Sequence, residues 1–358
     1  MTLMKPVEEI YWLRFYGCLA VFSFHFLDRL NQHVDNVYLD LARIPAVLGT
    51  PIFIFISIFL FSIRYGNQPP HGFLTKRLQY VMLPYLVYGL LYAISNYLNL
   101  LRLGEPVDLI EQLLEYLIYA GWHGYFLIIA MQFYAFYWLY SRYRLEAWLP
   151  AGPWLIVSSL IGIGYWGLTR YYQFEPPGYL LWIAPLGWLY LFFLAMLMVQ
   201  HYPSLPPARR QRLSWLRWLS RPEALLAWLI MIAVFTWFGR LEHSSKETWV
   251  IPLFILFTLV TLTRLRNVPA TPLVKRINRY SFGIYLAHPM FFAMVDFVHE
   301  FVPFPLWLYC LLLVVVGMAG SIGLNWLANR IPGGGMLFGK TLHVPEQRRA
   351  SQAGCSLS

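Results

Sequence analysis

The stretch LRFYGCLAVFSFHF, residues 13–26, decides the fold class because it is apolar enough to belong to a membrane-crossing helix. Two polar residues, Arg14 and His25, interrupt it. Polar groups inside a bilayer are costly, so they usually have a function there. About three helical turns separate the two residues, so both side chains project from one face of the helix, about 16 Å apart in depth. One face of this helix therefore carries a cation near one end and an imidazole near the other.

The composition of the whole chain agrees with a multi-pass protein of the cell membrane. Its 358 residues are 59% hydrophobic and only 12% charged, whereas a soluble protein of this length needs far more charge to cover its surface. The net charge of +10 does not indicate a nucleic-acid partner, because the basic residues lie in loops between apolar runs. The three cysteines show neither pairing nor metal-ligand spacing, so we expect no disulfide and no metal site.

Ten apolar runs of about 17–25 residues predict an all-α fold with about ten transmembrane helices. Most Lys and Arg residues fall in cytoplasmic segments if the N-terminus is cytoplasmic, which predicts an N-in, C-in topology. The expected organisation is a cytoplasmic N-terminus over residues 1–8, a transmembrane domain over 9–328 and a disordered cytoplasmic tail over 329–358. The predicted spans are 9–28, 44–64, 78–99, 121–140, 150–168, 179–199, 223–239, 249–264, 281–300 and 304–328.

The two polar residues of the first span each have a structural explanation beside a functional one. The Arg14 side chain could extend to the lipid headgroups, and His25 could form a hydrogen bond between packed helices. Their shared face favours a function, because an anionic carrier held by Arg14 could present its reactive end to His25.

Polar residues of other spans also have alternative explanations. Ser57 is expected to bond to the backbone of its own helix, and Gln132 is expected to bond to a neighbouring helix. His288 precedes Pro289, about two turns from the cytoplasmic end of the predicted 281–300 helix. It could satisfy the backbone group that the proline frees, or it could contact a ligand.

Three polar residues are expected towards the outer side of the membrane. His123, at the start of the predicted fourth span, is expected near the level of His25, where it could orient that residue, contact a ligand or lie among headgroups. Asp296 could pair with a cation such as Arg29 or line a ligand path. Arg43 could hold an acidic partner or a ligand.

Arg14, ten intervening residues and His25 resemble the R-x10-H signature of the membrane-bound acyltransferase 3 family. The resemblance covers about residues 9–328, and within the family it is greatest to the intercellular adhesion protein C branch, whose members belong to operons for poly-N-acetylglucosamine. Many members have Ser-Gly-Phe in the second helix, where this chain has an isoleucine at position 58, which leaves less room for a close backbone contact. The further matching segments are GTPIFIFISIFLF (49–61), FLTKRLQYVMLPY (73–85), WHGYFLIIAMQFY (122–134) and SFGIYLAHP (281–289).

The resemblance implies an integral membrane O-acyltransferase. Such an enzyme moves an acyl group, acetyl or succinyl, from cytoplasmic acyl-CoA to hydroxyls of an extracellular polysaccharide. The resemblance implies that His25 is the general base and that Arg14 anchors the donor. Arg77 and Lys76 are further candidates for acyl-CoA binding, with ordinary positive-inside topology as the alternative. The candidates for acceptor binding or support are His123, His288, Ser57, Gln132, Arg43 and Asp296.

The resemblance also implies the partners and an alternative function. Acyl-CoA is the donor substrate, and no bound cofactor is expected. The expected partners are the acceptor polysaccharide, the lipid bilayer and a polysaccharide synthase complex. The alternative is an exporter of poly-β-1,6-N-acetylglucosamine-type polysaccharide across the cell membrane. An exporter would need a continuous polar lumen, for which the predicted spans carry few polar residues.

Overall fold

The computed structural model describes residues 8–201, 218–266 and 268–342, and within these ranges the chain is helical without β-strands. Turns of π-helix at Leu78–Met82 and Leu114–Ile118 follow α4 and α6, and 3-10 turns lie at Leu145–Ala147 and Pro185–Trp188. The α-helices are α1 (Glu8–Asn31), α2 (Val37–Ala46), α3 (Gly49–Tyr65), α4 (Phe73–Arg77), α5 (Leu83–Leu103), α6 (Leu109–Leu113), α7 (Tyr125–Arg142), α8 (Ala151–Tyr172), α9 (Leu189–His201), α10 (Pro222–Trp237), α11 (Val250–Arg264), α12 (Pro272–Phe301), α13 (Leu306–Ala328) and α14 (Gly334–Leu337).

Several of these helices have the length and apolar composition of membrane spans. In the described ranges, six segments qualify: Glu8–Asn31, Val37–Tyr65, Phe73–Leu103, Ala151–Tyr172, Pro272–Phe301 and Leu306–Ala328. Shorter apolar segments are Pro185–His201, Pro222–Trp237 and Val250–Arg264. The prediction of a helical, multi-pass membrane protein is therefore confirmed. The count of ten spans and the N-in, C-in topology stay predictions.

Helix α1 packs against both α3 and α12, and two glycines allow α1 and α3 to approach closely. A Cβ atom on Gly17 would stand 2.6 Å from Cγ2 of Ile52, and one on Gly49 would stand 2.8 Å from the backbone nitrogen of Val21. Any side chain at either position would push the helices apart. The two glycines therefore hold α3 against the middle of α1, where the site described below is built.

Two helix boundaries near the site differ from the sequence prediction, each for a local reason. Helix α7 begins at Tyr125 rather than at 121, because the preceding connector turns through Ala120 with a positive φ of 55°. Helix α12 begins at Pro272, well before 281, because the Thr271 side chain caps it and a proline suits its first turn. His288 consequently lies near the middle of α12 and not about two turns from its beginning.

The chain after α13 also differs from the expected disordered tail. The side-chain amide of Asn325 donates to the carbonyl oxygens of Phe338 and Gly339, at 3.1 and 2.8 Å, and that of Asn329 donates to Gly339 at 2.9 Å. The Phe338 ring packs on Tyr88 of α5. Residues 329–342 thus pack against the bundle, because two asparagines satisfy backbone groups that no helix pairs. Residues 343–358 lie outside the described ranges.

Candidate active site

A cavity of about 250 Å³ lies at the end of the bundle where α1 finishes, which we name the outer end. His25 and Asp28 of α1 line this cavity, together with Thr50 of α3 and Tyr285 of α12. His123, from the connector that precedes α7, completes this part of the wall. The cavity therefore brings together groups from helices that are far apart in the sequence.

Three histidines form a compact group, the histidine cluster, beside this cavity. The ring centres of His25 and His123 are 5.5 Å apart, those of His25 and His288 are 5.2 Å apart, and those of His123 and His288 are 5.7 Å apart. His288 is fully buried. No group of three or more His, Cys, Asp or Glu residues in the described ranges is arranged to hold a metal ion.

Pro289 explains why two of these histidines are fixed in place. A proline has no N–H, so the carbonyl group of Tyr285, four residues earlier, loses its helical partner. Nε2 of His123 lies 3.1 Å from that carbonyl oxygen. Nδ1 of His288 lies 3.0 Å from the same oxygen and 2.8 Å from the carbonyl oxygen of Ile284. The carbonyl group that Pro289 frees is thus satisfied by histidine side chains from two different elements.

These contacts determine which ring nitrogens carry hydrogen. A carbonyl oxygen only accepts, so Nε2 of His123 and Nδ1 of His288 are the donors, and the opposite nitrogen of each neutral ring is an acceptor. Nε2 of His288 is buried without a partner in the described ranges. The ring of His25 takes part in none of the side-chain hydrogen bonds between described residues, and it lines the cavity. Its ring nitrogens are therefore available to a ligand.

The opposite, inner end of α1 carries a second polar group, formed around Tyr134 of α7. The Tyr134 hydroxyl interacts with Ser57, and it interacts electrostatically with both Arg14 and Arg77. The guanidinium carbon of Arg77 lies 4.3 Å from the centre of the Phe61 ring. Its Nε is buried without a hydrogen-bond partner in the described ranges. Neither arginine forms an ion pair with an acidic residue of the described part of the chain.

The rim of the outer cavity is held together by charged residues. Arg43 of α2 pairs with Asp28 at 3.1 Å and lies 3.9 Å from Asp40. It therefore has the acidic partner expected as one alternative. The connector between α10 and α11 closes the rim, because Arg170 of α8 binds Glu247 of that connector at 2.8 Å.

Aromatic rings lie at the same rim. Trp182 and Tyr179 line the cavity and stack with their centres 3.8 Å apart. The ammonium nitrogen of Lys246 lies 2.8 Å from the centre of the Trp182 ring. Burial lowers the pKa of this ammonium group to about 8, although Glu247 and Glu242 act in the opposite direction. The rim therefore combines a stacked aromatic pair with a lysine that loses its charge more easily than an exposed one.

Asp296 lies apart from both polar groups, and Ser57, which belongs to the inner group, also has a structural partner. Asp296 pairs with Arg29 at 3.2 Å and accepts a hydrogen bond from the Tyr309 hydroxyl at 2.7 Å, away from the cavity lining. The Ser57 hydroxyl donates to the carbonyl of Phe53, in its own helix, at 2.9 Å.

Gln132 and Lys76 also fall outside the two groups. The side-chain oxygen of Gln132 is buried without a hydrogen-bond partner among the described residues, so the structural bond expected for that oxygen is not present there. Lys76 is exposed, and no contact in the described ranges joins it to Arg14 or Tyr134.

Sequence reasoning missed Tyr134 and Tyr285, although both lie inside segments quoted for the resemblance. Tyrosines are common in membrane proteins as interface residues, so their identity alone carries no signal. Asp28 was also missed, because an acidic residue at the end of a span is ordinary. Only the packing of α1, α7 and α12 distinguishes these residues from the other tyrosines and acidic residues of the chain.

The two polar groups belong to one helical domain, and that domain matches a known family. A family model described as an acyltransferase domain, that of the acyltransferase 3 family, matches residues 7–326. The chain therefore belongs to the acyltransferase 3 family, as its resemblance predicted, and is a multi-pass membrane protein.

Particular relatives carry two kinds of name. The chain is 25% identical to a putative membrane-bound acyltransferase, YfiQ, of Bacillus subtilis (strain 168), over 96% of this chain and 97% of the relative. It is also 25% identical to a probable poly-beta-1,6-N-acetyl-D-glucosamine export protein of Staphylococcus aureus (strain MRSA252), over 80% of this chain and 83% of the relative. The protein of the same name from Staphylococcus epidermidis is 23% identical, over 80% and 81%. No solved structure matches the chain.

Proposed function

We propose that this protein is an O-acyltransferase that moves an acetyl or succinyl group from acyl-CoA to a hydroxyl group of an extracellular polysaccharide. One observation carries the proposal. His25 lines the outer cavity with its ring nitrogens free of hydrogen bonds to described residues, while Arg14, on the same helix, lies in the inner polar group. A base and a cation at opposite ends of one helix suit a reaction whose two substrates approach from opposite sides.

In the proposed reaction, the oxygen of an acceptor hydroxyl attacks the thioester carbonyl carbon. The C–O ester bond forms, the C–S bond breaks, and the hydroxyl proton passes to His25. The sulfur of CoA leaves as a thiolate and is protonated by the imidazolium, which restores the neutral base. A neutral imidazole suits this role because it can take and return a proton near neutral pH.

The histidine cluster would support His25 by position rather than by contact with the reacting atoms. His123 and His288 are fixed by carbonyl groups of α12, and each presents an acceptor nitrogen. These bonds hold both rings in place beside His25, whose own ring lines the cavity. The geometry therefore favours His25 as the base that meets the acceptor.

The inner polar group would hold the donor. Arginine binds phosphate with paired, charge-assisted hydrogen bonds, and acyl-CoA carries phosphates. Arg14 and Arg77 have no acidic partner in the described ranges, so their guanidinium groups remain available. Acyl-CoA is a substrate in this proposal, and no bound cofactor takes part.

The outer cavity would hold the acceptor. Tyr179 and Trp182 offer aromatic surface at its rim, and Asp28 and Ser245 offer polar groups within it. A sugar ring has apolar faces and hydroxyl edges, which such a lining complements. A polysaccharide synthase complex that delivers the polymer to this rim is part of the proposal.

The proposal assigns an orientation to the bundle. Ten spans with both termini in the cytoplasm would put Arg14 on the cytoplasmic side, where acyl-CoA is present, and His25 on the extracellular side. The support is the distribution of Lys and Arg, most of which fall in the segments then assigned to the cytoplasm.

Polysaccharide export is the second candidate function, because the staphylococcal relatives are named as probable export proteins. A polymer path would have to cross the middle of the bundle. Aromatic rings occupy that region between His25 and Arg14, as described below, and an exporter needs a wide polar lumen there. The proposed transferase needs only a narrow passage.

A comparison of wild type with His25→Ala, at matched membrane levels, tests the two candidates. The assay quantifies ester-linked acyl groups on surface polysaccharide and the total polymer outside the cell. We expect acyl content to fall by at least about a hundredfold, the usual lower contribution of a general base, while the amount of exported polymer stays unchanged.

The matched control is His33→Ala. His33 packs on His299 and Tyr309, away from the cavity lining, so its replacement should leave acyl content near wild type. If His25→Ala instead abolishes exported polymer and leaves acyl content per sugar unchanged, the export function replaces the transferase.

A further inference from the structure

Three aromatic rings meet between the two polar groups and form what we name the aromatic septum: Phe53 of α3, Phe126 of α7 and Tyr285 of α12. The ring centres of Phe126 and Tyr285 are 4.2 Å apart, those of Phe53 and Tyr285 are 5.7 Å apart, and those of Phe53 and Phe126 are 6.2 Å apart. Each ring thus contacts the other two, and the three come from separate helices.

The position of Phe53 puts the septum between the two polar groups. On α3, Thr50 lies one turn towards the outer end and lines the cavity, while Ser57 lies one turn towards the inner end and interacts with Tyr134. On α1, the Phe53 ring lies beside Gly17, since a Cβ atom there would stand 3.7 Å from its Cε2 atom. Gly17 itself lies between Arg14 and His25 in the sequence.

A donor held at Arg14 must therefore cross this level to reach His25. The rise of an α-helix puts the two residues about 16 Å apart along α1. An extended thioester arm could span that distance, but the three rings lie across its route.

The members of the septum differ in how firmly they are held. The Tyr285 hydroxyl donates to the carbonyl oxygen of His123, so this ring is tied to the histidine cluster. The two phenylalanines have no polar group to fix them. Phe53 is only partly buried, whereas Phe126 and Tyr285 are buried. Phe53 is thus the member with room to change rotamer.

We propose that the aromatic septum is a gate that the donor's acyl-bearing arm displaces, and that Phe53 sets the largest acyl group that can pass. This inference rests on the proposed acyltransferase function. With Phe53 in place, only short, unbranched acyl groups such as acetyl and succinyl reach His25. A smaller residue at position 53 would widen the passage and admit longer chains.

The test uses the full-length protein in proteoliposomes, with acetyl-CoA, butyryl-CoA and octanoyl-CoA as donors. A β-1,6-linked oligosaccharide of N-acetylglucosamine is the acceptor probe, and ester formation is measured by mass spectrometry. For Phe53→Ala, we expect the ratio of octanoyl to acetyl transfer to rise by at least about tenfold. Differences of a methylene or more in an apolar passage change relative rates by about that factor or more.

Phe55→Ala is the matched control, because it removes the same ring from the same helix. The Phe55 ring packs on Phe59 and Phe254, away from the septum, so this variant should keep the wild-type ratio. Phe53→Leu removes less volume and serves as the second variant if Phe53→Ala does not fold. We expect its ratio to lie between those of wild type and the alanine variant.

The outcomes separate the gate from the underlying function. If wild type forms ester from acetyl-CoA but the ratio is the same in Phe53→Ala or Phe53→Leu, the gate is overturned and the transferase stands. An equal rise in Phe55→Ala also overturns the gate, since general loosening would then explain the effect. If wild type forms no ester from any donor, the proposed function fails, and the gate fails with it.

Discussion

The two ends of α1 differ in how their polar side chains are held. At the outer end, His123 and His288 are fixed by hydrogen bonds to backbone carbonyls that a proline has released. At the inner end, Arg77 lies against an aromatic ring and keeps a buried donor without a partner in the described ranges. The outer end is thus preorganised, as a site of proton transfer needs to be. The inner end leaves its cations unpaired, as expected where an anionic ligand supplies the missing partners.

Among the substitutions that test this difference between the two ends, the removal of Arg14 is expected to have the largest effect. In Arg14→Ala, kcat/KM for acetyl-CoA should fall by about tenfold to a hundredfold, because a hydrogen bond to a charged group contributes about 1.5–3 kcal/mol. Arg14→Lys should recover part of that loss, since lysine keeps the charge without the paired donors. Initial rates against acetyl-CoA concentration in proteoliposomes measure both.

Arg64→Ala controls for the general loss of a basic residue at this end. Arg64 is exposed at the end of α3 and lies over the Tyr65 ring, so its removal should change kcat/KM less than twofold. An equal loss in Arg64→Ala and Arg14→Ala would contradict a specific donor contact.

An intermediate effect is expected at His123, a positioning residue of the outer end. In His123→Ala, kcat should fall by about tenfold with little change in KM, because His25 loses a fixed neighbour while donor binding is untouched. The free energy of unfolding should also fall by about 0.5–1.5 kcal/mol, the usual net contribution of one hydrogen bond, because the Tyr285 carbonyl keeps His288 as a donor. Steady-state kinetics and thermal unfolding measure the two effects.

His123→Gln distinguishes positioning from simple packing. The glutamine amide can donate to the Tyr285 carbonyl as Nε2 of His123 does, so this variant should recover most of kcat. If it stays as slow as His123→Ala while its stability is restored, the ring acts by contact with the reacting groups instead.

The smallest effect is expected at Asp296, whose partners are structural. In Asp296→Asn, transfer activity should stay within twofold of wild type, because the residue lies outside the cavity lining. Its ion pair with Arg29 is partly exposed, and such pairs contribute about 0–1 kcal/mol. The midpoint of thermal unfolding should therefore fall by no more than about 2–4 °C. A tenfold loss of activity would show that Asp296 lies on the acceptor path.

The sequence predicted the helical membrane architecture and the pair that organises α1. Apolar run length and the scarcity of charge are sufficient for this, since a bilayer accepts few other structures. Helical periodicity alone put Arg14 and His25 on one face. It could not give the beginning of α12. Thr271 caps that helix and Pro272 is its first residue, and this part of the helix carries no apolar pattern. The depth of His288 was therefore misjudged.

Only the tertiary structure decided which side chains from separate helices contact one another. The sequence shows that Pro289 frees a carbonyl, but not that His123, more than 160 residues away, helps to satisfy it. It likewise gives no sign that Phe53, Phe126 and Tyr285 meet, because apolar and aromatic residues are common throughout the spans. Local patterns fix each helix and the face of each side chain. Contacts between helices depend on close approaches such as that at Gly17, and these exist only once the bundle is packed.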